Sequence, residues 1–187
     1  MTPSDLRAFE REVADAFEAK RIRAPIHLSD GNEEQLIEIF QSIERTDWVF
    51  STWRSHFHAL LHGVPRELVM EEILAGRSMM LHFPEYRFFT SAIVGGILPI
   101  ACGVAAAGDP VWCFVGDMTA SIGAFQDALR YARGHDLPIE FVVEDNGLAT
   151  NTPTEVTWGL GVQAGKVRRY AYKRTYPHVG SGTYVAF

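Results

Sequence analysis

The segment Val111–Pro153, VWCFVGDMTASIGAFQDALRYARGHDLPIEFVVEDNGLATNTP, leaves few folds open to this chain. Two apolar runs of strand length, Val111–Val115 and Ile139–Val143, are each bounded by breakers. Between them Phe125, Ala128, Leu129 and Ala132 recur at i, i+3, i+4 and i+7, which predicts an amphipathic helix over Gly123–Arg133, stopped by Gly134. Strand, helix, strand implies parallel pairing through a right-handed crossover, so both carboxyl ends emerge on one edge of the sheet. Open α/β sheets bind their ligands at that edge. The first run ends in Gly116-Asp117 and the second in Glu144-Asp145-Asn146-Gly147. Asp117 and Asn146 are therefore expected close together, beside the N-terminus of the intervening helix. A carboxylate, an amide oxygen and a backbone carbonyl suit Mg²⁺, which takes hard oxygen ligands and completes its octahedron with phosphates and water. The helix N-terminus offers unpaired N–H groups and partial positive charge to an anion. These residues ask for a metal-bridged diphosphate.

Elsewhere, 47% of hydrophobic residues suits a globular core, and a net charge of −6 gives no reason to expect nucleic acid or an anionic membrane as partner. Cys102 and Cys113 both lie in apolar runs and read as buried, reduced residues, with no CxxC pair. No apolar run reaches membrane-spanning length and no basic leader opens the chain, so a cytoplasmic protein is expected. An N-cap-like Ser4-Asp5 starts a helix to about Lys20, and a second amphipathic helix runs from Glu33 to about Ile43. These two helices are expected to pack rather than to do chemistry. His58 and His62 stand at i, i+4 and admit a zinc reading, although no glutamate follows His58; a solvated helix face is the alternative. The loop Arg77–Thr90 is long for a connection, which usually marks function or a covering partner.

Four segments, in order over Phe50–Pro153, then carry a family resemblance. GDM at Gly116–Met118 with DN at Asp145-Asn146 resembles the thiamine diphosphate motif, GDG followed later by NN. TWRSHFHALLHG, Thr52–Gly63, resembles the YR-x-H segment found in alpha subunits of the first component of 2-oxoacid dehydrogenase complexes. GRSMMLHF, Gly76–Phe83, resembles their GGSMH, and SAIVGGILPIACGVAAA, Ser91–Ala107, resembles their G-IVG-x-x-x-P-x-A-x-G-x-A-x-A helix.

The resemblance implies a three-layer α/β/α fold with a mainly parallel sheet, the thiamine diphosphate-binding fold. One diphosphate-binding domain would span 1–187, with N-terminal helices over 1–45 and a shortened C-terminal segment over 158–187. By position, Asp117, the Asn146 side chain and the Leu148 carbonyl would ligate Mg²⁺, and Gly116, Met118 and Thr119 would border the diphosphate. Arg54 would fork onto it beside Trp53, which stands where the family has tyrosine. Ala92 and Val94 would hold the aminopyrimidine. His56 would line the active-site channel, and Met80 holds the place of a family histidine. Arg168–Gly182 resembles the T-Y-R-x-x-G-H segment, so Arg174 and His178 would also reach the diphosphate, His178 with a catalytic role; a β-hairpin of Val167–Thr175 with Thr183–Phe187 is the alternative.

The function implied is that of an alpha-type subunit decarboxylating a small-molecule 2-oxo substrate and transferring the acyl unit. A separate beta-type chain would bring the pyrimidine-binding glutamate, in a homodimer or an α₂β₂ heterotetramer. A split transketolase-like or synthase subunit and a non-catalytic subunit that keeps the fold are the alternatives.

Overall fold

The computed structural model describes residues 1–159 and 167–186. It opens with α1 (Pro3–Glu18) and α2 (Glu33–Phe40), then β1 (Trp48–Ser51), α3 (His56–Leu61), α4 (Arg66–Leu74), β2 (His82–Phe83), β3 (Phe88–Thr90) and α5 (Ile97–Ala106). The segment Val111–Pro153 supplies β4 (Val111–Gly116), α6 (Asp117–Ala120), α7 (Gly123–Gly134), β5 (Ile139–Asp145), β6 (Leu148–Ala149) and β7 (Thr152–Pro153). Last come α8 (Thr154–Trp158) and β8 (Arg168–Ala171).

Among the described residues the main sheet runs β2-β3-β1-β4-β5-β8, parallel throughout except at the β2–β3 edge. The two apolar runs are buried on both faces. Cys113, Val115, Phe141 and Val143 pack with α5 and α7, while Phe114 and Val142 turn to the layer of α1 to α4. Continuous rather than alternating hydrophobicity is what a strand covered by helices on both sides requires. The architecture is the expected α/β/α sandwich. From β1 the chain leaves toward β3, and from β4 toward β5 on the opposite side. The carboxyl ends of β1 and β4 thus flank the point where the winding reverses, the usual place for a ligand.

Local chemistry shifts several boundaries. The first helix is capped by Thr2, not Ser4: Asp5 N–H donates to Thr2 Oγ1 and Thr2 N–H to Asp5 Oδ2, with Pro3 at the first helical position. The helix expected over Ser91–Ala107 begins only at Ile97, because Ser91–Gly96 forms a tight turn with Gly95 at φ +76°. Its outer side is exposed rather than buried all round, with Ile100 at 45%. The loop Arg77–Thr90 is not structureless; it folds back as β2 and adds β3 to the sheet. The hairpin alternative fails, since β8 pairs with β5 in parallel; Phe187 and residues 160–166 lie outside the described part. No described helix is long and apolar enough to cross a membrane.

Phe114 is fully buried, stacked on Phe40 at 5.5 Å and meeting His58 edge-on at 4.7 Å. A Phe114→Ala change should cost about 3–5 kcal/mol of stability. Urea unfolding followed by circular dichroism checks this; a loss below about 1 kcal/mol would mean that α2 and α3 do not close on this ring.

Candidate functional site

The carboxyl ends of β1, β4 and β5 open onto a half-enclosed cleft of about 170 Å³. β4 ends in extended Gly116 and turns at once into α6, so Asp117 sits at the floor, 1% exposed. The helix beginning at Asp117 is therefore the short α6, and the longer α7 starts only at Gly123. Beyond β5, Asn146 begins a turn that returns through the β6–β7 hairpin. Leu148 N–H donates to Asn146 Oδ1 at 3.0 Å and Thr154 N–H to the Gly147 carbonyl at 3.0 Å. That return brings the Thr154 hydroxyl onto Asp117 Oδ2, a contact with no signal in the sequence.

Burial, with the nearby Asp145 charge, holds the Asp117 carboxyl above its usual range; the Thr154 hydroxyl and the N–H groups of Asp117 and Asn146 offset part of this. A carboxylate in that setting gains from a cation. Asp145 itself is turned away, accepting from Gly147 N–H at 2.8 Å and pairing with Arg169. The Asn146 amide donates to Tyr172 Oη at 3.1 Å, which orients its oxygen. Arg54 contributes a guanidinium bonded to the Leu28 carbonyl and, at 3.5 Å, to that of His178. No described carboxylate pairs with it or with Arg174, which donates to Asn151 Oδ1 at 3.0 Å. Burial lowers the Arg54 pKa and, with Arg54 and Arg174 nearby, that of His178. The cleft thus presents hard oxygen donors together with two guanidinium groups that have no salt-bridge partner among the described residues, a donor set that fits a divalent cation bridged to an anion.

Of the residues singled out, Trp53, Arg54, Val94, Gly116, Asp117, Met118, Thr119, Asn146, Leu148, Arg174 and His178 border this cleft. Two do not. His56 is fully buried, its Nδ1 at 3.0 Å from Glu10 and its Nε2 at 2.9 Å from Ser78 Oγ, so it ties α1 to α3 instead of lining a channel. Ala92 is held off by the Ser91–Gly96 turn, which advances Val94 alone. Met118 adopts ordinary helical backbone in α6, so its replacement of glycine carries no positive-φ strain; its Sδ accepts the Trp158 indole N–H at 3.2 Å. His58 and His62 do not share a metal: His58 Nε2 meets Glu144 at 3.1 Å and His62 Nε2 the Asp47 carbonyl at 3.1 Å. Among the described residues no cluster of three His, Cys, Asp or Glu is placed to hold an ion.

Sequence reasoning missed Asn32, Glu144 and Tyr172, which also line the cleft. Glu144 is buried and accepts from His58, Tyr170 and Asn32. Asn32 keeps its buried Oδ1 without a partner. Tyr172 had a signal: ring residues recur at Tyr170, Tyr172, Tyr176 and His178, the parity that the fold half-buries while the residues between are exposed.

Residues 2–159 match the model of the dehydrogenase E1 component. The chain belongs to that family. This E1-family chain is 28% identical over 167 residues to the alpha subunit of the acetoin:2,6-dichlorophenolindophenol oxidoreductase of Bacillus subtilis, covering 81% of the chain and 50% of that relative. It is 32% identical over 165 residues to the chloroplastic pyruvate dehydrogenase E1 component subunit alpha-3 of Oryza sativa, covering 75% and 39%. It is 31% identical over 163 residues to the pyruvate dehydrogenase E1 component subunit alpha of Porphyra purpurea, covering 75% and 47%. The E1-family chain thus spans half or less of the length of these relatives.

Two buried histidines make stability pH-dependent. Burial, then Arg54, lowers His27 to about 3, and burial, then Arg45, lowers His62 to about 4. Both stay neutral in the fold but take a proton near 6.5 when unfolded, so their contribution is full above that pH and is lost as pH falls toward 4. Asp30, raised to about 6 by burial and Glu33, and Asp117, raised by burial, work in the opposite direction, while the lowered His178 adds to His27 and His62. The urea midpoint should drop from pH 7.5 to pH 5, with a smaller drop in His62→Gln; equal midpoints at both pH values would contradict neutral burial.

Proposed function

We propose that this chain is the diphosphate-binding, alpha-type subunit of an enzyme that uses thiamine diphosphate and Mg²⁺ to decarboxylate a 2-oxo acid and pass on the acyl or aldehyde unit. The observation that carries this reading is the meeting of the Asp117–Asn146 oxygen donors with two guanidinium groups, Arg54 and Arg174, that no described carboxylate neutralises. Opposite charges so arranged match a metal diphosphate, which has both.

When bound, the cofactor supplies the electron sink for loss of carbon dioxide. The chain's own work is holding and orienting. Asp117, Asn146 Oδ1 and the Leu148 carbonyl would take the cation, with Thr154 fixing the Asp117 carboxylate and Tyr172 fixing the Asn146 amide. Arg54 would grip the diphosphate through the planar fork that suits phosphate oxygens. Arg174 adds charge and His178 a ring N–H donor, while Trp53 and Val94 line the cleft.

A cleft of about 170 Å³ falls below the roughly 300–1,000 Å³ of small-molecule sites, which supports completion by another chain. We assign that role to a separate beta-type chain carrying the pyrimidine-binding carboxylate, in an α₂β₂ assembly. The two free buried thiols suit a reducing compartment, and the cytoplasm is the proposed location. A second reading, a subunit that keeps the fold without catalysis, draws on Met118 with its Trp158 contact standing in the cleft where the motif has glycine.

Calorimetric titration of the chain and its co-purified partner with thiamine diphosphate and Mg²⁺ separates the two readings. Asp117→Ala should weaken binding by about 10–100-fold or more, the loss typical of support residues around a metal. Equal heats in both proteins would overturn the metal assignment, and no heat in the unaltered complex would favour the non-catalytic subunit. Turnover of pyruvate, branched-chain oxoacids or sugar phosphates by the complex would then define the substrate.

A further inference from the structure

The connection between α1 and α2 carries more contacts to the cleft than a linker needs. Gly31 has φ +82°, and a Cβ there would stand 2.3 Å from the Lys173 carbonyl oxygen and 3.2 Å from its carbon. Backbone approaches backbone here, and only glycine permits both the conformation and the distance. Along the same loop the Ile26 carbonyl accepts Gly180 N–H at 2.9 Å, and the Asp30 carboxylate accepts the Thr175 hydroxyl. The His27 ring meets that of His178 edge-on at 4.8 Å, and Asn32 Nδ2 donates to Tyr170 Oη at 3.0 Å. Arg54 joins the two segments again, bonding to the carbonyls of Leu28 and His178. After Ala171, where β8 ends, Tyr172 N–H still donates to the Asp145 carbonyl at 2.9 Å, but Lys173–Gly180 has no strand pairing of its own. An extended segment without a ladder keeps its conformation only where something else fixes it.

We propose that the loop Ile26–Asn32 is a clip that holds Tyr172–Gly180 across the cleft and so aims Arg174 and His178 into it, with Gly31 as the positioning residue that sets the register. The purpose of aiming these two side chains rests on the reading of the cleft as an anion site; the clip itself does not. The Lys173 carbonyl lies against Gly31 and the Thr175 hydroxyl on Asp30, while Tyr172, Arg174 and His178, of the opposite parity, border the cleft. A slip of one residue exchanges those two sets, and Arg174 would then point away.

The test uses the full chain with its partner, in unaltered form and as Gly31→Val, Thr175→Val and Arg174→Ala. Three quantities are measured: the thermal midpoint, the rate of trypsin cleavage after Lys173 and Arg174 mapped by mass spectrometry, and the affinity for inorganic pyrophosphate with Mg²⁺. Gly31→Val should speed cleavage at those bonds at least ten-fold, and weaken pyrophosphate binding as much as Arg174→Ala does. Thr175→Val, which cuts one clip contact without adding bulk beside Gly31, should give a smaller change of the same sign even if Gly31→Val fails to fold. Unchanged cleavage in Thr175→Val and in a folded Gly31→Val would overturn the clip. So would a loss of pyrophosphate affinity in Arg174→Ala that a folded Gly31→Val does not share. Faster cleavage in the clip variants, together with no pyrophosphate binding by the unaltered complex, would support the clip and overturn the anion-site reading.

Discussion

The parallel ladder between β4 and β5 sets Gly116 opposite Glu144, and that register is the constraint on which the cleft depends. With these residues level, Asp117 one position on and Asn146 two positions on both come to border the cleft at the sheet edge. The register is held by burial on both faces, since Cys113 and Val115 must meet α5 and α7 while Phe114 meets Phe40 and His58. Slipping one residue would send each of these side chains to the wrong layer. The hydrophobic core therefore fixes the spacing of the polar strand tips, although it touches no ligand group itself.

Around those tips, burial decides which charges are paired and which are kept available. Glu144 and Asp145 are both committed, the first to His58, Tyr170 and Asn32, the second to Arg169. Asp117 has only a hydroxyl and backbone donors, and Arg54 only carbonyl acceptors. Pairing inside the sheet edge thus leaves one acid and two bases facing the cleft. Charges desolvated without a counter-ion are costly to keep, and a surrounding scaffold must over-determine them. Here that scaffold is the hairpin that returns Thr154 to Asp117 and the loop that docks Tyr172–Gly180.

The same logic accounts for His56. It belongs to a segment that resembles a functional motif, yet a carboxylate from α1 and a hydroxyl from the Arg77–Thr90 segment satisfy both ring nitrogens. A histidine saturated on both sides and closed to water holds elements together and has no nitrogen left for a substrate.

The amino-acid order by itself determined the parallel strand pair, the helix between them and the adjacency of Asp117 and Asn146, because apolar periodicity and breakers are local and the crossover has one hand. It also carried Trp53, Arg54, Arg174 and His178, through resemblance rather than through any pattern of spacing. Tertiary structure alone decided the short strands β1 and β3, whose few residues give no period to read. It alone brought Asn32 and Glu144 together across 112 positions, put Thr154 on Asp117, and withdrew His56 and Ala92 from the cleft. Those outcomes depend on which buried donor finds which acceptor once the layers close, and no local window of sequence contains both partners.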